Sequence, residues 1–304
     1  MLRRGCRRLS VLCRPQDIEH LRPLGGSDDY VKLHLPGNLA TSSAHTHACI
    51  GALPSWASAL PHTAVIEIRN APARNALSGK MMAELADVVT TLESHGNALS
   101  AVVLRGADGH FCAGADIRVA KAHLSSPEGG ALMSRVMTST LTRLRQLPLI
   151  SVAIVEGAAM GGGAELTTSC DFRLLAHNAR LQFVHANMGV SPGWGGAARL
   201  VKLVGRQHAL RLLARTEKVS PVHALAIGLA DEVSTPEVDV EATAHRFLEP
   251  ICSKHPHVIR GLKRVVGHAD DIVLDQMRGE EYAVFQELWG GPANLEALAR
   301  HRTK

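Results

Sequence analysis

Short apolar strands alternate with amphipathic helices in the central part of the chain, and this alternation restricts the fold more than any other feature. The sequence predicts strands over 64–68, 101–105, 149–155 and 172–175. Ser78 is placed to cap a helix over 79–94, and a second helix is predicted over 127–147. Strands separated by helices form parallel sheets with helices packed on them. The sequence therefore predicts an α/β fold.

The rest of the chain divides into an N-terminal segment without a sustained period and a helical C-terminal region. C-terminal helices are predicted over 196–204, 206–214, 220–227, 239–255, 256–268 and 270–288. Residues 1–60 contain Gly, Pro and Ser/Thr/His clusters that are typical of loops. We therefore expect a leader and poorly ordered extension over 1–60, a core domain over 61–219, and a C-terminal helical oligomerisation region over 220–304.

The net charge of +5 is concentrated at the N-terminus. The first 16 residues contain no acidic residue and five arginines, Arg3, Arg4, Arg7, Arg8 and Arg14, so residues 17–304 are balanced. A neutral body without a basic, aromatic-interleaved patch argues against a nucleic-acid partner. An Arg-rich, acid-free N-terminus is typical of a mitochondrial transit peptide, but an untargeted basic tail has the same composition. The predicted location is therefore the mitochondrial matrix or the cytosol.

Cysteine and histidine spacings do not indicate a metal site or a disulfide framework. The six cysteines form no close CxxC pair, and the 17 histidines show no HExxH-like pattern. No stretch of about 18 uncharged apolar residues is present, so no transmembrane helix and no membrane partner are predicted.

Three glycine-rich or small-residue stretches follow the predicted strands. The first, Phe111–Ile117, contains Ala113, Ala115 and Asp116. Small residues allow a backbone to approach a ligand closely, and a turn can leave an N–H group pointing outward. A plain strand-to-helix loop would have a similar sequence, so this stretch is a weak signal alone.

The second stretch, Gly157–Leu166, has three consecutive glycines at a predicted helix start. Free N–H groups and the helix dipole favour an anion there, either an oxyanion or a phosphate. The phosphate-binding patterns GxGxxG and GxxxxGK[ST] are both absent, which favours the oxyanion. Glu165 lies in the first turn of this helix. It either interacts favourably with the dipole or acts as an acid or base beside the anion.

The third stretch runs from His185 to Leu200. Its Pro and Gly residues predict a loop that ends in a helix near Gly196. Trp194 lies in this loop, where it either lines a pocket or fills a gap in the packing.

Together these stretches, in this order and approximate spacing, resemble the crotonase (enoyl-CoA hydratase/isomerase) superfamily from about Thr63 to the C-terminus. The segment Arg74–Leu77 after the first strand also matches its pattern. The resemblance implies a crotonase-type spiral of ββα units with a C-terminal helical region. It also implies an acyl-CoA substrate and a homotrimer or hexamer.

The resemblance assigns the site residues. The N–H groups of Ala115 and Gly162 would form an oxyanion hole for the thioester oxygen. Glu165 falls on the first catalytic glutamate of the hydratases, and His185 stands where their second glutamate lies. Because water addition in that family uses two carboxylates, an imidazole at this position argues against hydration. The implied substrate-binding residues are Arg74 and Ala76, on the CoA side, and Ala113, Asp116 and Trp194.

A narrower set of motifs, above all Trp289–Ala297, resembles a decarboxylase branch of this superfamily. Members of that branch remove CO₂ from ethylmalonyl-CoA and, less readily, from methylmalonyl-CoA. Loss of CO₂ leaves an enolate, and one oxyanion-hole donor stabilises such an anion by roughly 3–4 kcal/mol. The thioester is the electron sink, so we expect no metal or organic cofactor.

An acid must then protonate the enolate carbon, and the candidates are His185 and a Glu165 that stays protonated in a dry site. Two other functions are compatible with these residues. The first is that of an enoyl-CoA hydratase or isomerase. The second is that of a non-catalytic acyl-CoA- or RNA-binding member of the superfamily. The glycine triplet together with Glu165 favours catalysis over the last of these.

Overall fold

The computed structural model describes residues 13–40 and 48–300, and a seven-stranded sheet forms its centre. In chain order the strands are β1 Tyr30–Leu35, β2 Cys49–Ala52, β3 Thr63–Arg69, β4 Ala101–Gly106, β5 Ile150–Val155, β6 Ala158–Met160, β7 Phe172–Leu175, β8 Arg180–Gln182 and β9 Glu232–Val233. The order in the large sheet is β2-β1-β3-β4-β5-β7-β9, and β6 pairs with β8 separately. Only the β1–β3 pair among these described strands is antiparallel.

Helices cover this sheet and form the C-terminal region, which confirms the predicted α/β class. In chain order they are α1 Pro15–Leu21, α2 Gly37–Ala40, α3 Gly79–His95, α4 Ile117–His123, α5 Pro127–Gln146, α6 Gly162–Thr167, α7 Gly196–Arg215, α8 Pro221–Ala226, α9 Val240–Cys252, α10 Pro256–Leu288 and α11 Pro292–Arg300. Within the described ranges, none of these helices combines the length and the apolarity needed to cross a bilayer.

The unit formed by β3, α3 and β4 shows how the sequence produces these layers. Nearly every side chain of β3 and β4 is buried, as expected for strands covered on both faces. The helix α3 begins after Ser78, whose Oγ accepts the N–H of Met81 at 3.3 Å. Its apolar face, Met82, Leu85, Val89 and Leu92, is buried. Burial of such side chains contributes about 1.5–3 kcal/mol each, which holds α3 in place.

The N-terminal strands correct the expectation of a poorly ordered extension over 1–60. β1 lies inside the large sheet, between β2 and β3. Val31, Leu33 and Leu35 are fully buried and alternate with partly exposed residues, the pattern of a strand with one face on the core. Residues 1–12, which hold most of the Arg-rich stretch over 1–16, and residues 41–47 lie outside the described residues, so the leader stays a prediction.

The C-terminal helices follow the sequence prediction with two differences, and one of them is α11, which was not predicted. Gly205 has a non-helical φ of 76° inside α7, at the predicted junction between two helices. The predicted break near residue 269 is absent, because α10 is a single helix. Oligomerisation through residues 220–304 stays a prediction, and this region exposes a set of apolar side chains, Val222, Leu225, Val258, Leu262, Val265 and Val266.

If β1 is part of the core, Leu33→Ala should lower the free energy of unfolding by about 2–5 kcal/mol, because it leaves a cavity at a fully buried position. Leu210→Ala is the matched control, since Leu210 is 50% exposed. Urea unfolding followed by circular dichroism would measure both. Equal, small losses in the two variants would contradict the position of β1.

Candidate active site

Two backbone segments, residues 111–116 and 158–163, meet beside the carboxyl ends of β4 and β5. The N–H groups of Phe111 and Cys112 donate to the Ala158 carbonyl at 3.2 and 3.0 Å. In return, the Met160 N–H donates to the Cys112 carbonyl at 2.9 Å. These bonds bring the segments so close that a methyl group on Gly114 would lie 3.2 Å from the Gly162 nitrogen.

The two predicted oxyanion donors lie at this junction. Gly162 is the first residue of α6, so its N–H has no intrahelical acceptor. Within the described chain, neither this N–H nor that of Ala115 donates to a backbone carbonyl. The preceding residues Gly114 and Gly161 have φ values of 93° and 52°, which glycine adopts without steric cost. The structure therefore leaves two uncommitted N–H groups on adjacent backbone segments. Their role as an oxyanion hole stays a prediction.

Trp194 closes one side of this junction. A methyl group built on Gly162 would lie 2.5 Å from the Trp194 ring, so only glycine allows the ring to pack there. The indole is 3% exposed. Trp194 therefore forms an apolar wall on one side of Gly162.

Glu165 lies one turn along α6 and is 1% exposed. Its Oε2 accepts the N–H groups of Trp194 and Gly196, both at 2.9 Å, and its Oε1 accepts that of Gly193 at 3.3 Å. His185 Nε2 donates to Oε1 at 2.9 Å. Both carboxylate oxygens are thus occupied, and the carboxylate fixes the 193–198 segment and the imidazole together.

The structure favours an ionised Glu165, opposite to the hypothesis that it stays protonated. Burial alone raises the pKa of Glu165, but the hydrogen bond and charge of His185 lower it, together with the charge of Arg199 and the Trp194 N–H. The net effect places the pKa below its ordinary value of 4.5. A carboxylate in this state accepts protons poorly and has none to deliver, so it is suited to orient His185 and stabilise its charge.

His185 lies in a short 3-10 turn, Val184–Met188, after β8, and its side chain is nearly buried. Its Nδ1 is buried and has no hydrogen-bond partner among the described residues. Buried polar atoms normally have a partner, so this nitrogen is the one position on the ring open to a ligand or water.

Arg199 is a site residue to which the sequence assigned no role. Its guanidinium donates to the Thr168 hydroxyl at 3.0 Å, the Trp194 carbonyl at 2.9 Å and the Glu165 carbonyl at 3.3 Å. Burial lowers the pKa of Arg199 to about 10, so it stays charged at neutral pH. The side chain is within the Ala198–Leu200 motif, but only the fold reveals that it reaches back to α6.

The predicted CoA-side residues form a tight turn behind the oxyanion junction. Arg74 is exposed, with φ of 51°, and its carbonyl accepts the Ala113 N–H at 3.1 Å. Ala76 is buried, and its N–H donates to Ala73. Sequence analysis missed Asn75, whose Nδ2 donates to the carbonyls of Ala107 and His110 at 2.7 and 2.8 Å. An asparagine in a turn after a strand is a signal that could have identified it, since Asn tolerates positive φ.

Asp116 caps α4 rather than facing the junction. Its carboxylate accepts the Arg118 N–H at 2.8 Å and pairs with the Arg118 guanidinium, also at 2.8 Å. Burial raises the pKa of Asp116, but the Arg118 contacts outweigh this and lower it. Asp116 and Arg118 line one side of a cleft of about 580 Å³, and residues 23–29 line the other.

Residues 13–40 and 48–300 contain no candidate metal site. No group of three or more His, Cys, Asp or Glu side chains is placed there to hold an ion.

The fold and this junction define a class of protein. Residues 62–291 match the family model described as enoyl-CoA hydratase/isomerase, so the chain belongs to this family. An enoyl-CoA hydratase/isomerase from Mycobacterium paratuberculosis has the same fold, with a TM-score of 0.73 over 79% of this chain and 95% of that one at 20% identity. This agreement confirms the predicted crotonase fold.

More specific relatives are found within the family. The chain is 48% identical to the ethylmalonyl-CoA decarboxylase of Danio rerio over 78% of this chain and 79% of that protein. A putative enoyl-CoA hydratase from Thermobifida fusca, solved in complex with acetoacetyl-CoA, is 25% identical, with a TM-score of 0.63 over 79% of this chain and 93% of that one.

The ionised Glu165 should contribute to stability in a pH-dependent way. Because its folded pKa is lowered, its contribution is complete above the unfolded value of 4.5 and is lost as the pH falls through the folded value. Glu165→Gln should therefore lower the free energy of unfolding at pH 7 by about 3 kcal/mol, and the difference from wild type should narrow below pH 4.5.

Urea unfolding between pH 8 and pH 3 tests this expectation. The exposed Glu287 provides the control, since Glu287→Gln should stay within about 0.5 kcal/mol of wild type. If the difference in free energy of unfolding between wild type and Glu165→Gln instead grows as the pH falls, Glu165 is protonated in the folded state.

Proposed function

We propose that this protein decarboxylates a 2-carboxyacyl-CoA, with ethylmalonyl-CoA as the preferred substrate and methylmalonyl-CoA as a poorer one. The observation that carries the proposal is the pairing of a buried, ionised Glu165 with His185 beside two uncommitted N–H groups. The 48% identity to an ethylmalonyl-CoA decarboxylase supports the same substrate class.

The reaction begins with the thioester oxygen bound by the N–H groups of Ala115 and Gly162. The bond between Cα and the substrate carboxylate breaks, CO₂ leaves, and the electron pair forms an enolate whose charge moves to that oxygen. The two donors stabilise this charge more in the transition state than in the ground state, by roughly 3–4 kcal/mol for one donor. The thioester accepts the electrons, so the step uses no resident metal or organic cofactor.

A proton must then reach Cα to give the acyl-CoA. Glu165 is poorly suited to supply it, because its carboxylate is held ionised by four hydrogen bonds. His185 is better suited, because its Nδ1 is buried, has no partner among the described residues and can carry a proton to Cα. Solvent then returns a proton to the imidazole.

The same geometry disfavours hydration, the activity named for several fold relatives. Two-carboxylate hydration needs a second carboxylate opposite Glu165, and here the group 2.9 Å from Glu165 is an imidazole. A second carboxylate would also repel a substrate that carries its own. An imidazole instead adds no negative charge and can donate a hydrogen bond to the substrate carboxylate before CO₂ leaves.

The substrate class is tested by incubating the purified protein with ethylmalonyl-, methylmalonyl-, malonyl- and crotonyl-CoA. Mass spectrometry should detect loss of CO₂, fastest from ethylmalonyl-CoA. Hydration of crotonyl-CoA at a higher kcat/KM than any decarboxylation would replace the proposal with a hydratase function.

The role of His185 is tested by His185→Gln, which keeps a hydrogen-bond donor to Glu165 and removes the titratable proton. We expect kcat for ethylmalonyl-CoA to fall by about 10²–10⁴-fold, the usual contribution of a general acid. His257→Gln is the control, because His257 is exposed. Wild-type kcat in His185→Gln would show that another group or water supplies the proton.

A further inference from the structure

Helix α10 contacts the 193–198 segment along one face. Glu281 and Phe285 are four residues apart and lie on the same side of the helix, and Trp289 follows directly after its last residue. Phe285 packs against Gly193, where any side chain would collide with its ring. Trp289 packs against Gly130 and donates its Nε1–H to the Leu124 carbonyl at 2.7 Å. Residues assigned from sequence to an oligomerisation region thus form the rear wall of the site.

Glu281 is the charged member of this face. Its Oε1 accepts the Ala197 N–H at 3.3 Å, and its Oε2 accepts the Ala198 N–H at 3.1 Å. The N–H groups of Gly193, Trp194 and Gly196 donate instead to the carboxylate of Glu165. Two carboxylates therefore accept the N–H groups around the start of α7: Glu165 from α6 and Glu281 from α10.

We propose that Glu281 is a positioning residue, through which α10 holds the 193–198 segment so that Trp194 stays against Gly162 and Glu165 keeps its three backbone donors. The kinetic test of this role rests on the proposed decarboxylation, whereas the role itself rests on the contacts of Glu281. Glu281 does not touch the reacting atoms; it acts through the backbone that Glu165 binds.

The charges around Glu281 make this support dependent on pH. Glu165 faces it from α6 and Arg199 from α7. Other charged or titratable groups on the packed helices are Arg278, which donates to Thr142, and Tyr282, which accepts from Arg135. Burial and the charge of Glu165 raise the pKa of Glu281 to about 7, although Arg199 and the two N–H groups oppose the shift. Above this pH the carboxylate is ionised and accepts from both amides; below it, a proton occupies one oxygen.

Glu281→Gln mimics the protonated form, and Glu281→Ala removes both acceptors. The control is Glu287→Gln, which deletes the same charge from an exposed position on α10. We expect Glu281→Ala to lower kcat for ethylmalonyl-CoA on the order of tenfold with a smaller change in KM. This is below the roughly 10²-fold that a 1 Å misplacement can cost.

The conservative variant gives the sharper measurement. The ratio of wild-type to Glu281→Gln kcat should rise from about one at pH 6 to several-fold at pH 8, because only the wild type ionises at this position. Titrations common to both proteins cancel in the ratio. A ratio that is constant with pH would overturn the proposal. The proposal would also fail if folded Glu281→Ala had a wild-type kcat and only a lower melting temperature.

A substrate-free measurement separates this inference from the proposed function. The emission of Trp194, obtained as the difference between matched proteins with and without Trp194→Phe, should change near pH 7. The change should disappear in Glu281→Gln and persist in Glu287→Gln. If no thioester is decarboxylated, the proposed function fails while this titration still decides the inference. An identical titration in wild type and Glu281→Gln would overturn it.

Discussion

The carboxylate of Glu165 is the interaction on which the geometry of the site depends. It joins three parts of the chain that are distant in sequence: α6, the turn that contains His185, and the 193–198 segment. Placing an ion in a nearly dry interior is costly unless its lone pairs are satisfied, and here four donors satisfy them. Hydrogen bonds to a charged group contribute about 1.5–3 kcal/mol each, and removal of the carboxylate would leave several buried donors unpaired.

The junction of the Ala115 and Gly162 segments depends on Glu165 as well, because Glu165 holds Trp194 and Trp194 packs on Gly162. The Gly162 N–H is free because it begins a helix, and the Ala115 N–H is free because Gly114 turns the chain. Trp194 packs on Gly162, and its own N–H donates to Glu165. Donors fixed in advance stabilise a developing charge without reorganising, which is the principal contribution that a protein can make to enolate chemistry.

Sequence patterns predicted β3, β4, β5, β7 and most of the longer helices, because strand–glycine–helix segments are local signals. The assignment of Ala115 and Gly162 as backbone donors stays a prediction. Glu165 contacts His185 and Trp194, and the Trp194 ring packs on Gly162. The joint role that the family resemblance implies for these residues and Ala115 stays a prediction. The ionisation of Glu165 was not predictable, since its backbone donors lie 28–31 residues away in sequence. The strand β1 was missed although Val31, Leu33 and Leu35 alternate with Lys32 and His34, because its flanking loops obscured the pattern. Glu281 was missed because a single glutamate on a long helix normally faces solvent.

The charge balance of the site connects these observations. Glu165 is ionised, Arg199 is charged and buried, and His185 is hydrogen-bonded to the one carboxylate in contact with it. In the proposed reaction the substrate brings a further negative charge, which leaves as neutral CO₂ and reappears on the thioester oxygen. An imidazole opposite Glu165 accommodates that charge at both stages, whereas a second carboxylate would oppose it. In the proposed reaction, an imidazole rather than a second carboxylate beside Glu165 would therefore favour decarboxylation over water addition, because it changes which charge the site tolerates.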